Sequence, residues 1–133
     1  MKIEPATIES VNNMPMLKTL DIHILEIGET HAVVEVVASD RHKNYLGGTH
    51  GGLIATLIDT VSFFSKPFLP SGKLCTTTNL NVSYIRPVSI GEKIIARSDI
   101  IHLGKRTATV SVNVENSAGK RVAHGTTTIM FLD

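Results

Sequence analysis

The chain has 133 residues, thirteen basic against twelve acidic side chains for a formal net charge of +1, and 42% apolar residues. That length and composition specify a single folded domain over residues 1–133 and exclude a disordered chain. The balanced charge excludes a global field that would draw the protein to nucleic acid or an anionic membrane, so neither is an expected partner.

The first eighteen residues mix Pro5, Pro15 and Asn12-Asn13 with apolar Ile8, Val11, Met14 and Leu17, which predicts a short N-terminal helix and then a turn. Leu20 to Glu26 and His31 to Ala38 read as a hairpin through Gly28-Glu29-Thr30, the second strand carrying the β-branched run Val33, Val34, Val36, Val37. Asp40 to Thr49 is a polar, Gly-containing loop, with Thr49 the expected N-cap of a helix from His50 to Phe64. At 100° per residue, Leu53, Ile54, Leu57, Ile58, Val61 and Phe64 fall within an arc of about 140°, a core-facing stripe. Pro67, Pro70 and Gly72 are its expected stop signals. Four strands follow: Leu74 to Arg86, Glu92 to His102, Arg106 to Glu115 and Arg121 to Phe131. In the third, Ala108, Val110, Val112 and Val114 alternate with Thr107, Thr109, Ser111 and Asn113, the period of a sheet with one buried face. The expected fold is α+β: a six-stranded antiparallel sheet on one long helix, its last four strands a meander. One helix leaves part of such a sheet uncovered, which favours pairing with a second copy.

Several residues are placed to do chemistry. His50-Gly51-Gly52 opens the helix, where backbone N–H groups lack intrahelical partners and the macrodipole is positive, so the end can polarise an oxygen. A plain tight entry into the helix accounts for the glycines equally well. Asp59 lies mid-helix opposite the apolar stripe, beside Gly52, Ala55, Thr56 and Phe63, either as a solvated carboxylate or as an acid approached by a flat ligand or a second backbone. Eight residues at 1.5 Å separate Gly51 from Asp59 by about 12 Å, too far for one reacting group to touch both. Two antiparallel helices in a two-fold dimer bring Gly51 of one chain to Asp59 of the other. Gly104-Lys105-Arg106, with Arg86 before Pro87, is a cationic patch for phosphates or a solvated turn. The histidines lack metal-ligand spacing and Cys75 lacks a cysteine partner, so neither a metal site nor an internal disulfide is expected. With acids where a secretion leader needs basic residues, the expected compartment is the cytoplasm. The longest apolar stretch, Leu53 to Leu69, is broken by Asp59 and Lys66, so no membrane span is expected.

The segment Asn44-Tyr45-Leu46-Gly47-Gly48-Thr49-His50-Gly51-Gly52 through Asp59 resembles the signature of the hotdog-fold acyl-CoA thioesterases, of the phenylacetate-pathway and small single-domain types. The likeness continues through Asn81 to Pro87, Gly91-Glu92, Gly104-Lys105 and Ala123-His124-Gly125. The resemblance implies a central helix wrapped by an antiparallel sheet, and homodimers with active sites at the subunit interface, often paired into tetramers. It makes Asp59 the acid that activates water or attacks the thioester, the Gly51 N–H the group that polarises the carbonyl, and Asn44 and His50 orienting groups. Thr77 falls where relatives hold a hydroxyl near the acid. Coenzyme A binding falls to Tyr84, Arg86, Pro87, Gly104, Lys105 and Arg106, with no cofactor required. An acyl-thioester hydratase or dehydratase, and a non-catalytic acyl-CoA-binding module, are the rival readings. For the acyl group, Tyr45, Met14, Met16, Phe63, Phe64 and Phe68 are pocket candidates.

Overall fold

The period-2 alternation becomes the inner face of a six-stranded, fully antiparallel sheet in the computed structural model, which describes residues 2–132. Its strands are β1 (His23–Ile27), β2 (His31–Val37), β3 (Cys75–Tyr84), β4 (Lys93–Leu103), β5 (Thr107–Asn116) and β6 (Arg121–Phe131). Their order across the sheet is β1-β2-β4-β5-β6-β3. The expected four-strand meander is therefore three strands, β4-β5-β6, with β3 on the far side of β6 pairing Tyr84 with Ala123 and Cys75 with Phe131. The reason lies in the connections. Short turns at Gly104 and Gly119 make hairpins, whereas residues 85–92 carry the chain from β3 to β4 over three strand spacings, about 14 Å.

Helix α3 (Gly51–Ser62) lies on that inner face and buries Leu53, Ile54, Leu57, Ile58 and Val61 against Ala32, Val34, Val36, Ile94, Ala96, Val110, Val112 and Val114. It stops at Ser62, short of the expected Phe64 and well before Pro67. Ser62 Oγ donates back to the Ile58 carbonyl at 2.7 Å and the Phe63 N–H to the Thr60 carbonyl, tightening the last turn. Thr127 Oγ1 donates to Ser62 Oγ at 2.9 Å, so these buried hydroxyls of β6 and the helix satisfy each other internally. Gly125 sets how near the helix comes. A Cβ there would stand 2.7 Å from Ile58 Cγ2 and 2.9 Å from the Asn81 carbonyl oxygen, closer than any side chain tolerates.

Two short helices, α1 (Ile8–Asn12) and α2 (Pro15–Leu20), stand where one was expected, because Pro15 opens the second at its first position, where a missing N–H costs nothing. They place Asn12 against the outer edge of β1. Its Oδ1 accepts from the Ile24 N–H at 2.8 Å and its Nδ2 donates to the Ile24 carbonyl at 3.3 Å. A register shift between Ile24 and Glu26 bends the same edge. At the other end of the sheet, β3 pairs with β6 on one side, and among the described residues no strand lies along its other side.

Candidate active site

Helix α3 begins differently from the sequence expectation. The N-cap is His50, whose Nδ1 accepts the Gly52 N–H at 2.7 Å; Thr49 instead donates its backbone N–H to the Val88 carbonyl. With Nδ1 accepting, the exposed His50 ring is left with Nε2 as its donor. The Gly51 N–H is then the helix-end donor that takes no hydrogen-bond partner among the described residues. Tyr84 Oη donates to the Gly51 carbonyl at 2.8 Å and its ring covers the Cα, 3.1 Å from where a Cβ would stand. Gly51 thus sits in a groove of about 310 Å³ lined by Thr49, Ile54, Tyr84, Ile85, Arg86, Pro87 and Val88. In that groove the buried Thr49 Oγ1 has no hydrogen-bond partner among the described residues.

Asn44 holds the loop that leads into this end. Its Oδ1 accepts from the Leu46 and Gly48 N–H groups at 2.9 and 3.0 Å, and its Nδ2 lies 3.4 Å from the Thr49 carbonyl. Its amide is therefore engaged in shaping the turn, with Gly47 at φ +90° completing it.

Asp59 is half-buried, and Thr77 Oγ1 of β3 donates to its Oδ1 at 2.7 Å. A solvated carboxylate on an open helix face does not describe it. A bulge one residue on, between Thr77 and Asn79, turns the following β3 side chains over, so that Leu80, Val82 and Tyr84 continue on the helix side. Leu80 and Tyr84 nevertheless stay open to solvent, Tyr84 meeting α3 at its first residue, Gly51. One chain thus unites Asp59 with Thr77, and Gly51 with Tyr84, His50, Arg86 and Pro87, but leaves the two groups about 12 Å apart along the helix.

The Gly104-Lys105-Arg106 turn lies elsewhere. It flanks a cleft of about 490 Å³ with Pro67, Lys73, Leu103 and Phe131, at the opposite end of β6 from Tyr84. Eight residues of strand separate the two ends, about 27 Å. Lys73, whose Nζ stands 5.2 Å from the Phe131 ring centre, adds a cation that sequence reasoning missed. Its placement depends on β3 pairing with β6, which no local pattern announces. Phe64 and Phe68 are core side chains, 3% and 0% exposed, so the pocket candidates left at the surface are Tyr45, Met14, Met16 and the half-buried Phe63. Burial pushes the Cys75 thiol up to about 11, so it is no nucleophile at neutral pH. His124 faces away from the helix, its Nε2 2.9 Å from Ser111 Oγ. Among the described residues no cluster of His, Cys, Asp and Glu has the makings of a metal site, and no helix is long and apolar enough to cross a membrane.

Comparison with known proteins converges on one group. The model of the thioesterase superfamily matches residues 46–123. Mouse acyl-coenzyme A thioesterase 13 is 35% identical over 94 residues, covering 70% of this chain and 67% of its own. The solved PaaI protein from the phenylacetic acid degradation operon of Escherichia coli superposes with a TM-score of 0.85 at 24% identity, over 92% of this chain and 87% of that one, a likeness of fold. Streptococcus mutans smu.793, solved bound to acetyl CoA, has a TM-score of 0.76 at 26% identity, over 83% of this chain and 87% of its own.

Proposed function

The chain belongs to the thioesterase superfamily, and from that premise we propose that it hydrolyses acyl-CoA thioesters at sites each assembled from two copies of the chain. The observation that carries the reading is the 2.7 Å bond from Thr77 to Asp59, made between a helix face and an edge strand that the chain itself leaves uncovered. With Oδ1 held by Thr77, Oδ2 is free to accept a proton from water.

Antiparallel pairing of two β3 edges about a two-fold axis near Leu80 and Asn81 sets Tyr84 of one protomer opposite the partner's Thr77. Gly51, which touches Tyr84, then faces the partner's Asp59, and the 12 Å gap within one chain closes between chains. The same pairing carries the Arg86-Pro87 end toward the partner's Lys73, Lys105 and Arg106, so two cation groups that are distant in one chain converge on the phosphates of one coenzyme A. A dimer of dimers follows if the outer sheet faces also pair.

The chemistry needs no cofactor. Asp59 takes a proton from water as the oxygen attacks the thioester carbonyl. The Gly51 N–H and the positive end of α3 stabilise the oxyanion, while Asn44 and His50 hold the loop and the helix start that aim this donor. The tetrahedral intermediate then expels the coenzyme A thiolate, which takes the proton back from Asp59, leaving free acid, free thiol and the carboxylate restored. Release of thiol from short, medium, long and aromatic acyl-CoAs tests the reading, with Asp59→Asn alongside. Turnover lost in the variant with acyl-CoA binding retained supports it; tight binding without turnover by the unaltered protein contradicts it and marks a binding module.

A further inference from the structure

Tyr45 and Leu46 stand at the tip of the loop before α3, 102% and 91% exposed, the two most exposed large apolar side chains described. The backbone beneath them is tightly fixed. Asn44 caps Leu46 and Gly48 through Oδ1, the Asn44 N–H donates to the Gly48 carbonyl at 2.7 Å, and Lys43 bridges to Thr49. A loop with so many internal hydrogen bonds presents its apolar pair in one geometry, the mark of a preorganised anchor for something else.

The shared site says what that is. In the antiparallel helix pair, Gly51 stands level with the partner's Asp59, so the loop that precedes Gly51 lies toward the end of the partner's helix that carries Phe63. Phe63 is four residues beyond Asp59, on the same helix face, and is left half-exposed by its own chain. We infer that Tyr45 and Leu46 of each protomer pack against the partner's Phe63 and form with it the wall of the acyl pocket, making them specificity-determining residues. This rests on the two-chain site proposed above. The substrates it selects are thioesters whose apolar acyl group extends past the carbonyl to that wall; an acetyl group falls short of it.

The chain contains no tryptophan, so Tyr45→Trp introduces a sole indole reporter. In the assembled protein its emission is that of an indole in apolar surroundings, and it shifts to the red on dilution to monomers; solvent-exposed emission from the assembled protein overturns the inference. In Tyr45→Ala with Leu46→Ala, the preference for hexanoyl-CoA over acetyl-CoA in kcat/KM falls about tenfold, the order expected for lost pocket contacts. An unchanged preference in an active variant also overturns it. If the unaltered protein hydrolyses no acyl-CoA, the catalytic reading fails, while the indole emission still decides whether this loop is covered.

Discussion

Strand β1 closes its edge of the sheet within five residues, with a bulge and the Asn12 side chain saturating Ile24; β3 runs ten residues with no strand along its outer side among the described residues and with Leu80, Tyr84 and Ile85 exposed around it. Both are edges of one antiparallel sheet, and both have the same tendency to recruit another strand. The difference is that the proposed reacting groups lie on the β3 side: Thr77 and Tyr84 on the strand, Asp59 and Gly51 on the helix beside it. One edge is finished by the chain itself, and in the proposed two-chain site the other is finished by a second copy.

The sharpest way to test that division is at Asp59. Asp59→Asn, nearly isosteric, lowers kcat by about a thousandfold through loss of the proton acceptor, with melting temperature and assembly unchanged by calorimetry and light scattering. Next in size is the edge. Asn81→Lys sets like charges across the proposed axis, so light scattering shows monomers and hydrolysis falls about a hundredfold as the partner's Gly51 N–H is lost. Being exposed, the same substitution changes the monomer's own stability by no more than about 0.5 kcal/mol. Thr77→Val, which removes the donor to Asp59, lowers kcat about tenfold, whereas Thr77→Ser keeps the hydroxyl and most of the rate. The β1 side responds in the opposite currency. Asn12→Ala costs about 1–2 kcal/mol in denaturant titration by leaving Ile24 unpartnered, with neither kcat nor oligomeric state altered.

Periodicity made the scaffold legible. The apolar faces of α3 and β5 are the residues their spacing picks out, with Leu57, Ile58, Val61, Val110, Val112 and Val114 all fully buried. Strand order was not legible, because nothing local in residues 74–92 distinguishes a strand that pairs with its sequence neighbour from one that pairs with β6. The cap was misread for a related reason. Thr49 has the better N-cap chemistry, but its backbone is bound to Val88, and the cap passes to the imidazole of His50. Spacing on the helix separated Gly51 from Asp59 and so pointed to a second chain; it was silent on Thr77, which came from family resemblance and which the structure sets in hydrogen-bond contact with Asp59. Lys73 escaped both, since its neighbours Lys105 and Phe131 reach it through β6.

Mixing two inactive variants shows whether each site takes its acid from one chain and its oxyanion donor from the other. Gly51→Pro removes the N–H at the first helical position, where His50, at φ −66° and ψ 133°, already has the backbone that precedes a proline; its Cβ, 3.1 Å from the Tyr84 ring, requires that exposed ring to move by a few tenths of an ångström. Combined one to one with Asp59→Asn and allowed to exchange subunits, half the dimers are hybrids, each with one intact site. Thiol release then recovers to about a quarter of the unaltered rate. Hybrid dimers that form and remain inactive would place the whole site within one chain and contradict the account.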